Sequence, residues 1–415
     1  MVDNALRPHG GRIVERVEDP RAAVDRVRGL KTLSVDGRIA AECVNIAYGF
    51  FSPLQGFMGR EDVEAVAREM RLASGYVWSV PIVLDVSPEE VAATGIGTGE
   101  TLLLTFAGQP LATIDVDQVF SWDREEMALS IYGTTDDRHP GVRRTQGLGD
   151  RFLGGNITLV NPPAISPPFD RFWHTPRQLS DQFQVRGWRR VVAHQTRNVP
   201  HAGHEWMMKA AWFAAGAEGV LVNAVIGEKR AGDYIDEAIV LSHDALRTAG
   251  YFREETHMTS ILLWDMRYAG PREAVFHAIV RKNLGCTHHM FGRDHAGVGS
   301  FYDPYASHRI FDEVPDIGIE PLLSLEWWHC PRCGGAAYSG LCGHEEQKEE
   351  LSGTFMRRSL ESGVKPSHLA FRSEVFDLVT ECAAMYGDGS PFVTESYLRS
   401  RNPVMTMSPM EGWEG

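Results

Sequence analysis

The sequence predicts an α/β protein in three parts: a β-rich N-terminal domain, a central domain built on a parallel sheet, and a small C-terminal domain that carries a metal. Three observations predict it. Residues 1 to about 170 hold short apolar runs broken by Gly, Pro and Asp turns. From about residue 176, strand-like and helix-like runs alternate. Beyond about residue 325, three of the six cysteines cluster beside a histidine.

In the first part (1–170), Val77–Val86, Thr101–Phe106 and Leu111–Val116 are the strand candidates. Asn161 to Asp170 contains four prolines and reads as a linker. In the second part (171–325), strands are expected at Val191–Ala193, Gly219–Val225, Ser260–Trp264 and Thr287–Phe291. Helices are expected between them, at His204–Gly216, Asp233–Ala249 and Arg272–Leu284. That alternation implies a parallel sheet covered by helices, with ligands at the carboxyl ends of its strands. In the third part (326–415), Lys348 to Gly363 reads as a polar segment leading into a helix. The tail after Gly387, rich in Ser, Pro and Met, yields no firm element.

At 415 residues the chain is too long for one ordinary core. Its 43% hydrophobic and 23% charged content is that of a soluble globular protein. The net charge of −14 argues against a general nucleic-acid binder. It also requires that an anionic substrate be held by a local cationic cluster. The first residues show no apolar signal core, and no uncharged apolar run approaches ~18 residues, so a cytoplasmic protein without a membrane span is expected.

Gln195 to Glu205, Gln-Thr-Arg-Asn-Val-Pro-His-Ala-Gly-His-Glu, is the most informative stretch. It gathers a guanidinium, two amides and two imidazoles where a strand hands over to a helix. Asn198 is the expected N-cap, and Pro200 suits the first helical turn. Such a turn offers unpaired N–H groups and the positive end of a helix dipole to anions. Arg197, His201 and His204 add to it a site for phosphate or another oxyanion. An arbitrary His-x-x-His is more often a surface or core pair; Gln195, Arg197 and Asn198 directly before it favour the oxyanion. The zinc-hydrolase helix needs His-Glu-x-x-His, and here the Glu follows the second His.

A second loop, Gly292-Arg293-Asp294-His295-Ala296-Gly297, follows another expected strand. Its glycines suit an anion nest, and a tight turn closed by an Arg293–Asp294 or Asp294–His295 pair fits equally well. Two such loops on one sheet edge would face one crevice. In the preceding segment Pro271 suits a helix start and Glu273 its first turn, with Arg267 able to face the crevice.

Cys330, Cys333, Cys342 and His344 offer the ligand types of tetrahedral zinc. The short second spacing leaves the fourth ligand open among His344, His329, Glu345 and Glu346. Four protein ligands leave no open position, so a structural Zn²⁺ is expected.

Together these segments resemble the ATP sulfurylase (sulfate adenylyltransferase) family. Its Gln-x-Arg-Asn-x-x-His-x-x-His-Glu motif is matched at Gln195–Glu205, and its Gly-Arg-Asp-His-Ala-Gly motif at Gly292–Gly297. The likeness takes in Gly49–Met58, His139-Pro140-Gly141-Val142, Met266–Glu273, the Cys cluster, and Leu351-Ser352-Gly353-Thr354 with Arg357. Val199-Pro200 and Ile226-Gly227-Glu228-Lys229-Arg230 resemble the branch found in sulfur-oxidising and sulfate-reducing microbes. No P-loop kinase segment follows, so the fused form that also phosphorylates the product is not expected.

The resemblance implies an N-terminal PUA-like domain, a Rossmann-like nucleotidyltransferase domain and a C-terminal zinc-binding helical domain. It implies that ATP and sulfate, with Mg²⁺, give adenosine 5′-phosphosulfate and pyrophosphate, and that the protein is a homo-oligomer. By motif position, Gln195, Arg197 and the Ala296 backbone hold sulfate, and Thr196, Arg197 and Asn198 line the point of attack at the α-phosphorus. His201 and His204 stabilise charge on the departing pyrophosphate. Gln195, Asn198, Gly292, Arg293, Asp294 and His295 hold ATP. His194 and Asn223 depart from the family's usual Phe and His. They keep open a homologous adenylyltransferase acting on another oxyanion or acid.

Overall fold

The structure, a computed structural model, describes residues 7–348 and 353–413. Its N-terminal part rests on a mixed sheet of β1 (Lys31–Ser34), β2 (Gly56–Phe57), β3 (Leu84–Val86), β4 (Thr101–Phe106), β5 (Gln109–Phe120) and β6 (Arg151–Leu159). The strand order is β1-β4-β5-β6-β2, with β3 also paired to β6. β1 and β4 run parallel and the other pairs antiparallel. Ala107 and Gly108 join β4 to β5 with φ of 48° and 74°, the positive-φ pair that tight hairpins favour. The expected strand over Val77–Val86 survives only at its end. Pro81 cannot donate to a ladder, and the Trp78 indole N–H turns onto the Val80 carbonyl at 2.7 Å.

After β7 (Ala164–Ile165), the central sheet contains β8 (Val191–Thr196), β9 (Gly219–Ile226), β10 (His257–Leu263), β11 (His288–Phe291) and β12 (Glu320–Leu323). The order is β10-β9-β8-β11-β12, all parallel. Every residue of β9 is buried, as a parallel strand between helical layers requires. The chain steps outward from β8 to β10, then returns to place β11 on the other side of β8. Right-handed crossovers therefore put helices Ala202–Ala214 and Asp236–Thr248 on one face and Pro271–Asn283 on the other. The direction reverses between β8 and β11, where doubly wound sheets leave a crevice at the strand ends. Arg197 follows β8 and Gly292 follows β11, so both motif loops open at that point.

One contiguous apolar core runs through the N-terminal and central sheets. At their junction Phe51, Trp78, Trp264 and Phe276 are fully buried, and Phe51 meets the other three edge-to-face at 5.3 to 6.4 Å. Aromatic burial of this size, with favourable ring geometry, is among the larger stabilising contributions available to a core.

The C-terminal part opens with the hairpin β13 (Trp327–Cys330) and β14 (Gly335–Tyr338). Helices follow at Gly353–Ser362 and Ser373–Tyr386. The expected polar segment from Lys348 falls partly outside the described residues, as do Leu351 and Ser352. The tail is more ordered than the sequence foretells: it forms helix Glu395–Ser400 and β15 (Met405–Thr406), which pairs with β7. The proline-rich stretch is thus a fixed strap rather than a linker. Ser166 Oγ donates to the Pro403 carbonyl at 2.7 Å and Asn161 Nδ2 to the Ser408 carbonyl at 3.0 Å. Among the described residues no helix is long and apolar enough to cross a membrane.

Candidate functional site

The helix after β8 starts at Ala202, and its N-cap is His201 rather than the expected Asn198. Asn198 belongs to an earlier turn. Its N–H donates to Thr196 Oγ1 and its carbonyl accepts from the same hydroxyl, both at 3.1 Å. The two histidines build an imidazole capping box. His201 Nδ1 accepts the Gly203 N–H at 3.0 Å, and His204 Nδ1 accepts the His201 N–H at 3.4 Å. Both Nδ1 atoms are therefore acceptors, and the proton of each neutral ring sits on Nε2. Burial pushes the His204 pKa down to about 4 and holds His201 well below its usual range. The pair is thus set as neutral Nε2–H donors.

His194, on β8, is buried behind them, its ring 5.6 Å from His204 and 5.7 Å from His243. Asn223 is fully buried and donates to Ser260 Oγ at 2.8 Å inside the sheet. Glu205, also buried, accepts two hydrogen bonds from Arg372 at 2.8 and 2.9 Å and pairs with Lys209 at 2.5 Å. The last residue of the motif therefore anchors the helix to the C-terminal part.

Arg197 is engaged on two sides. Its Nη1 bonds the Tyr268 hydroxyl, and its Nη2 lies 2.9 Å from Asp233 Oδ2. Arg230 lies over the same tyrosine ring at 4.8 Å, and its backbone N–H donates to Asp233 Oδ2 at 3.0 Å. Gln195 Oε1 is buried without a partner among the described residues, and its Nε2 faces Met266 Sδ at 3.9 Å. Arg267 does not face the crevice: it is buried, with its Nη2 on Glu42 and its guanidinium 4.7 Å from the Trp264 ring. A buried guanidinium goes where a carboxylate compensates its desolvation, and Glu42 lies on the N-terminal side.

The Tyr268–Gly270 turn couples the two motif loops. Gly270 N–H donates to the Ala296 carbonyl at 3.0 Å, while Tyr268 reaches Arg197. The His139-Pro140-Gly141-Val142 segment holds this turn from the other side. His139 Nε2 donates to the Tyr268 carbonyl at 3.1 Å, and a Cβ on Gly141 would come 2.3 Å from the Arg267 carbonyl. In the second loop Asp294 and Ala296 adopt φ of 56° and 57°. Such conformations cost about 1–3 kcal/mol each and persist where neighbours enforce them. Asp294 N–H donates to the Pro304 carbonyl at 2.8 Å and Ser307 Oγ to the His295 carbonyl at 2.7 Å. The Ala296 N–H has no partner among the described residues. Arg293 makes the expected internal contact with Asp294 at 3.3 Å and a stronger one with Glu326 at 2.8 Å.

A cavity of about 270 Å³ receives His201, His204, Gly292 and Arg293 from the two loops, and Glu326 and Trp327 from the C-terminal hairpin. A second, of about 180 Å³, is lined by Asp294, His295, Gly297 and Tyr302. Gln195, Thr196, Arg197 and Asn198 line neither. Asp233, Tyr268, Glu326 and Trp327 are the contributors that motif reading missed. Only Tyr268, inside the noted Met266–Glu273 segment, left a signal.

Cys330, Cys333, Cys342 and His344 bring their ligand atoms within 4.8 Å of one another. His344 Nδ1 lies 3.7, 3.3 and 3.7 Å from the three sulfurs in turn, and Cys333 and Cys342 are 3.8 Å apart. A tetrahedron with Zn–S near 2.3 Å requires ligand separations of about 3.8 Å, so the donor set fits. Of the four candidates for the last ligand, His344 is the one that converges.

A switch-point crevice with an anion-suited loop at each strand end defines a doubly wound α/β protein shaped to hold an anionic ligand. The chain belongs to the ATP-sulfurylase family: the family model of that description matches residues 170–382, and a PUA-like domain matches 6–162. Relatives named sulfate adenylyltransferase include one from Archaeoglobus fulgidus, 39% identical and covering 95% of each chain. Another, from Hyperthermus butylicus, is 44% identical over 90% of this chain and 95% of its own. A third, from Aeropyrum pernix, is 42% identical over 90% and 97%. Among solved structures, a hexameric APS kinase from Thiobacillus denitrificans shares the fold with a TM-score of 0.71 at 23% identity. That match covers 91% of this chain and 68% of the other.

Proposed function

We propose that the protein is a sulfate adenylyltransferase: a sulfate oxygen attacks the α-phosphorus of ATP, the bond from that phosphorus to the β-phosphate oxygen breaks, and pyrophosphate leaves. The products are adenosine 5′-phosphosulfate and pyrophosphate, with no covalent enzyme intermediate. The observation that carries this is the cavity shared by His201 and His204 with Gly292 and Arg293, at the reversal point of the sheet.

Both reactants are anions and sulfate is a weak nucleophile, so positioning and charge stabilisation dominate. Arg197 supplies a planar fork for sulfate, with Gln195 and the Ala296 N–H. Thr196 and Asn198 set the backbone turn beside the point of attack. His201 and His204 donate Nε2–H to the oxygens on which charge grows as pyrophosphate departs. Arg293, Asp294, His295 and the backbone at Gly292 hold the nucleotide. Mg²⁺ bound with ATP would offset the charge of its phosphates. Zn²⁺ on the Cys₃His cluster fixes the hairpin that walls the cavity. Assembly as a homo-oligomer belongs to the same reading, and light scattering tests it.

The test is sulfate-dependent release of pyrophosphate from ATP, repeated with selenate, molybdate and phosphonates. Release with another oxyanion but not with sulfate overturns the assignment. His194 and Asn223, which kept a different acid substrate open, are both buried and line neither cavity, with the His194 ring 5.6 Å behind His204.

A further inference from the structure

Glu273, in the first turn of helix Pro271–Asn283, has a role that a helix-dipole partner alone does not need. It is fully buried, and its carboxylate accepts three N–H groups: the Trp264 indole at 3.0 Å, the Arg267 backbone at 2.9 Å and the Ala269 backbone at 3.0 Å. Burial opposes its charge, but these donors and His277 hold its pKa down to about 2. One helical turn on, the fully buried His277 places Nε2 3.4 Å from Glu273 Oε1, an electrostatic contact outside hydrogen-bond alignment, and that nitrogen meets no other acceptor among the described residues. His277 Nδ1 then lies 3.1 Å from His295 Nε2. His295 in turn lines the cavity of about 180 Å³, and its Nδ1 has no partner among the described residues.

The proton positions follow in order. A carboxylate faces His277 Nε2, so that nitrogen carries the hydrogen. His277 Nδ1 is then a lone pair and accepts from His295 Nε2–H. His295 Nδ1 is left as the free lone pair of a ring that lines the cavity. Burial, His277 and the buried guanidinium of Arg281 all disfavour a charged His295. This ring is therefore the reverse of His201 and His204, which offer N–H.

We propose that Glu273 and His277 are positioning residues that lock His295 as a hydrogen-bond acceptor for a donor on the nucleoside, a ribose hydroxyl or the adenine amino group. The proposal deepens the assignment of His295 to ATP and rests on that reading. It makes the second cavity a nucleoside-reading site, whereas phosphates would demand donors.

His277→Phe keeps the ring volume and breaks the relay, while His277→Gln retains one acceptor and one donor. Loss of one neutral hydrogen bond should raise the ATP KM about 10-fold in His277→Phe, with kcat changed less than about 2-fold. His277→Gln should restore most of the loss. Wild-type protein should discriminate about 10-fold against one of 2′-deoxyATP, 3′-deoxyATP and inosine triphosphate, and His277→Phe should not. Which analogue is rejected names the donor. Equal discrimination by both proteins, or by neither, overturns the proposal.

Nitrogen NMR of histidine-labelled protein gives a readout independent of turnover: the His295 signal, assigned with His295→Gln, should show a protonated Nε2 and a bare Nδ1. A protonated Nδ1 overturns the proposal even if the enzyme is active. ATP affinity measured calorimetrically without sulfate keeps the test separate from the adenylyl-transfer reading. Loss of sulfate-dependent turnover with intact nucleoside discrimination would remove that reading and leave the relay standing.

Discussion

Asp233 Oδ2 lies 2.9 Å from Arg197 Nη2, in a pair only partly open to water, so the guanidinium assigned to sulfate already holds a carboxylate. Asp233 comes from the loop between β9 and helix Asp236–Thr248. The same loop brings Arg230 to the Tyr268 ring and is gripped by Arg357, whose Nη1 bonds the Gly232 carbonyl.

An anion entering this site competes with Asp233. Asp233→Asn keeps the shape and removes the charge, so the sulfate KM should fall about 5-fold, in line with a partly exposed pair worth about 1 kcal/mol. An unchanged sulfate KM in a folded variant would show that Asp233 orients the arginine without competing.

Arg197→Ala removes the planar fork itself. Adenylyl transfer should drop about 10²–10³-fold, the usual scale for one lost oxyanion contact. Near-normal turnover in a folded variant would move the sulfate site elsewhere.

His204→Ala deletes an Nε2–H donor and the acceptor that caps the His201 N–H. Turnover should fall about 100-fold while calorimetric ATP affinity changes less than about 3-fold, because the donor acts on charge that develops during reaction. Matched losses in both would indicate ordinary ground-state binding.

One zinc per chain should appear on elemental analysis. Cys333→Ser or chelation should lower the melting temperature, since metal binding is coupled to folding of the site. Glu326 and Trp327 precede Cys330 in the chain and wall the larger cavity, so nucleotide affinity should weaken in parallel. Full affinity after metal loss would separate the hairpin's fold from its metal.

His257 is fully buried against Phe252, with neither ring nitrogen partnered among the described residues. Burial pushes its pKa down to about 3, and the pKa of His9 and His204 down to about 4. A histidine held neutral in the fold stabilises fully above its unfolded pKa and loses that contribution as pH falls toward the folded value. The stability loss therefore begins near pH 6.5 and grows on acidification. His257 alone accounts for about 2 kcal/mol by pH 5. The melting temperature should fall between pH 7 and 5, and His257→Phe should flatten that fall; an identical slope would exclude His257 as a contributor.

Much of the protein was legible in its sequence. Apolar strand runs alternating with helix-like runs marked the parallel sheet, and β4 appeared at its observed bounds, because a strand covered on both faces reads as an unbroken apolar run. The Cys₃His set was readable because its ligands lie close along one short segment. The two motif loops were readable because each follows directly from a strand, and a parallel sheet gathers its carboxyl ends on one edge.

Only the tertiary structure decided what those residues do to one another. Asp233 stands 36 residues from Arg197, and Arg372 stands 167 residues from Glu205. No periodicity encodes which carboxylate answers which guanidinium at such separations, since desolvation and packing choose the partner once the chain has closed. The N-cap moved to His201, the proline strap became a strand, and a glutamate at a helix start became a proton anchor. The strap's partners at Pro403 and Ser408 lie far along the chain, whereas the His201 cap and the Glu273 anchor turn on near neighbours whose side-chain directions are set by packing.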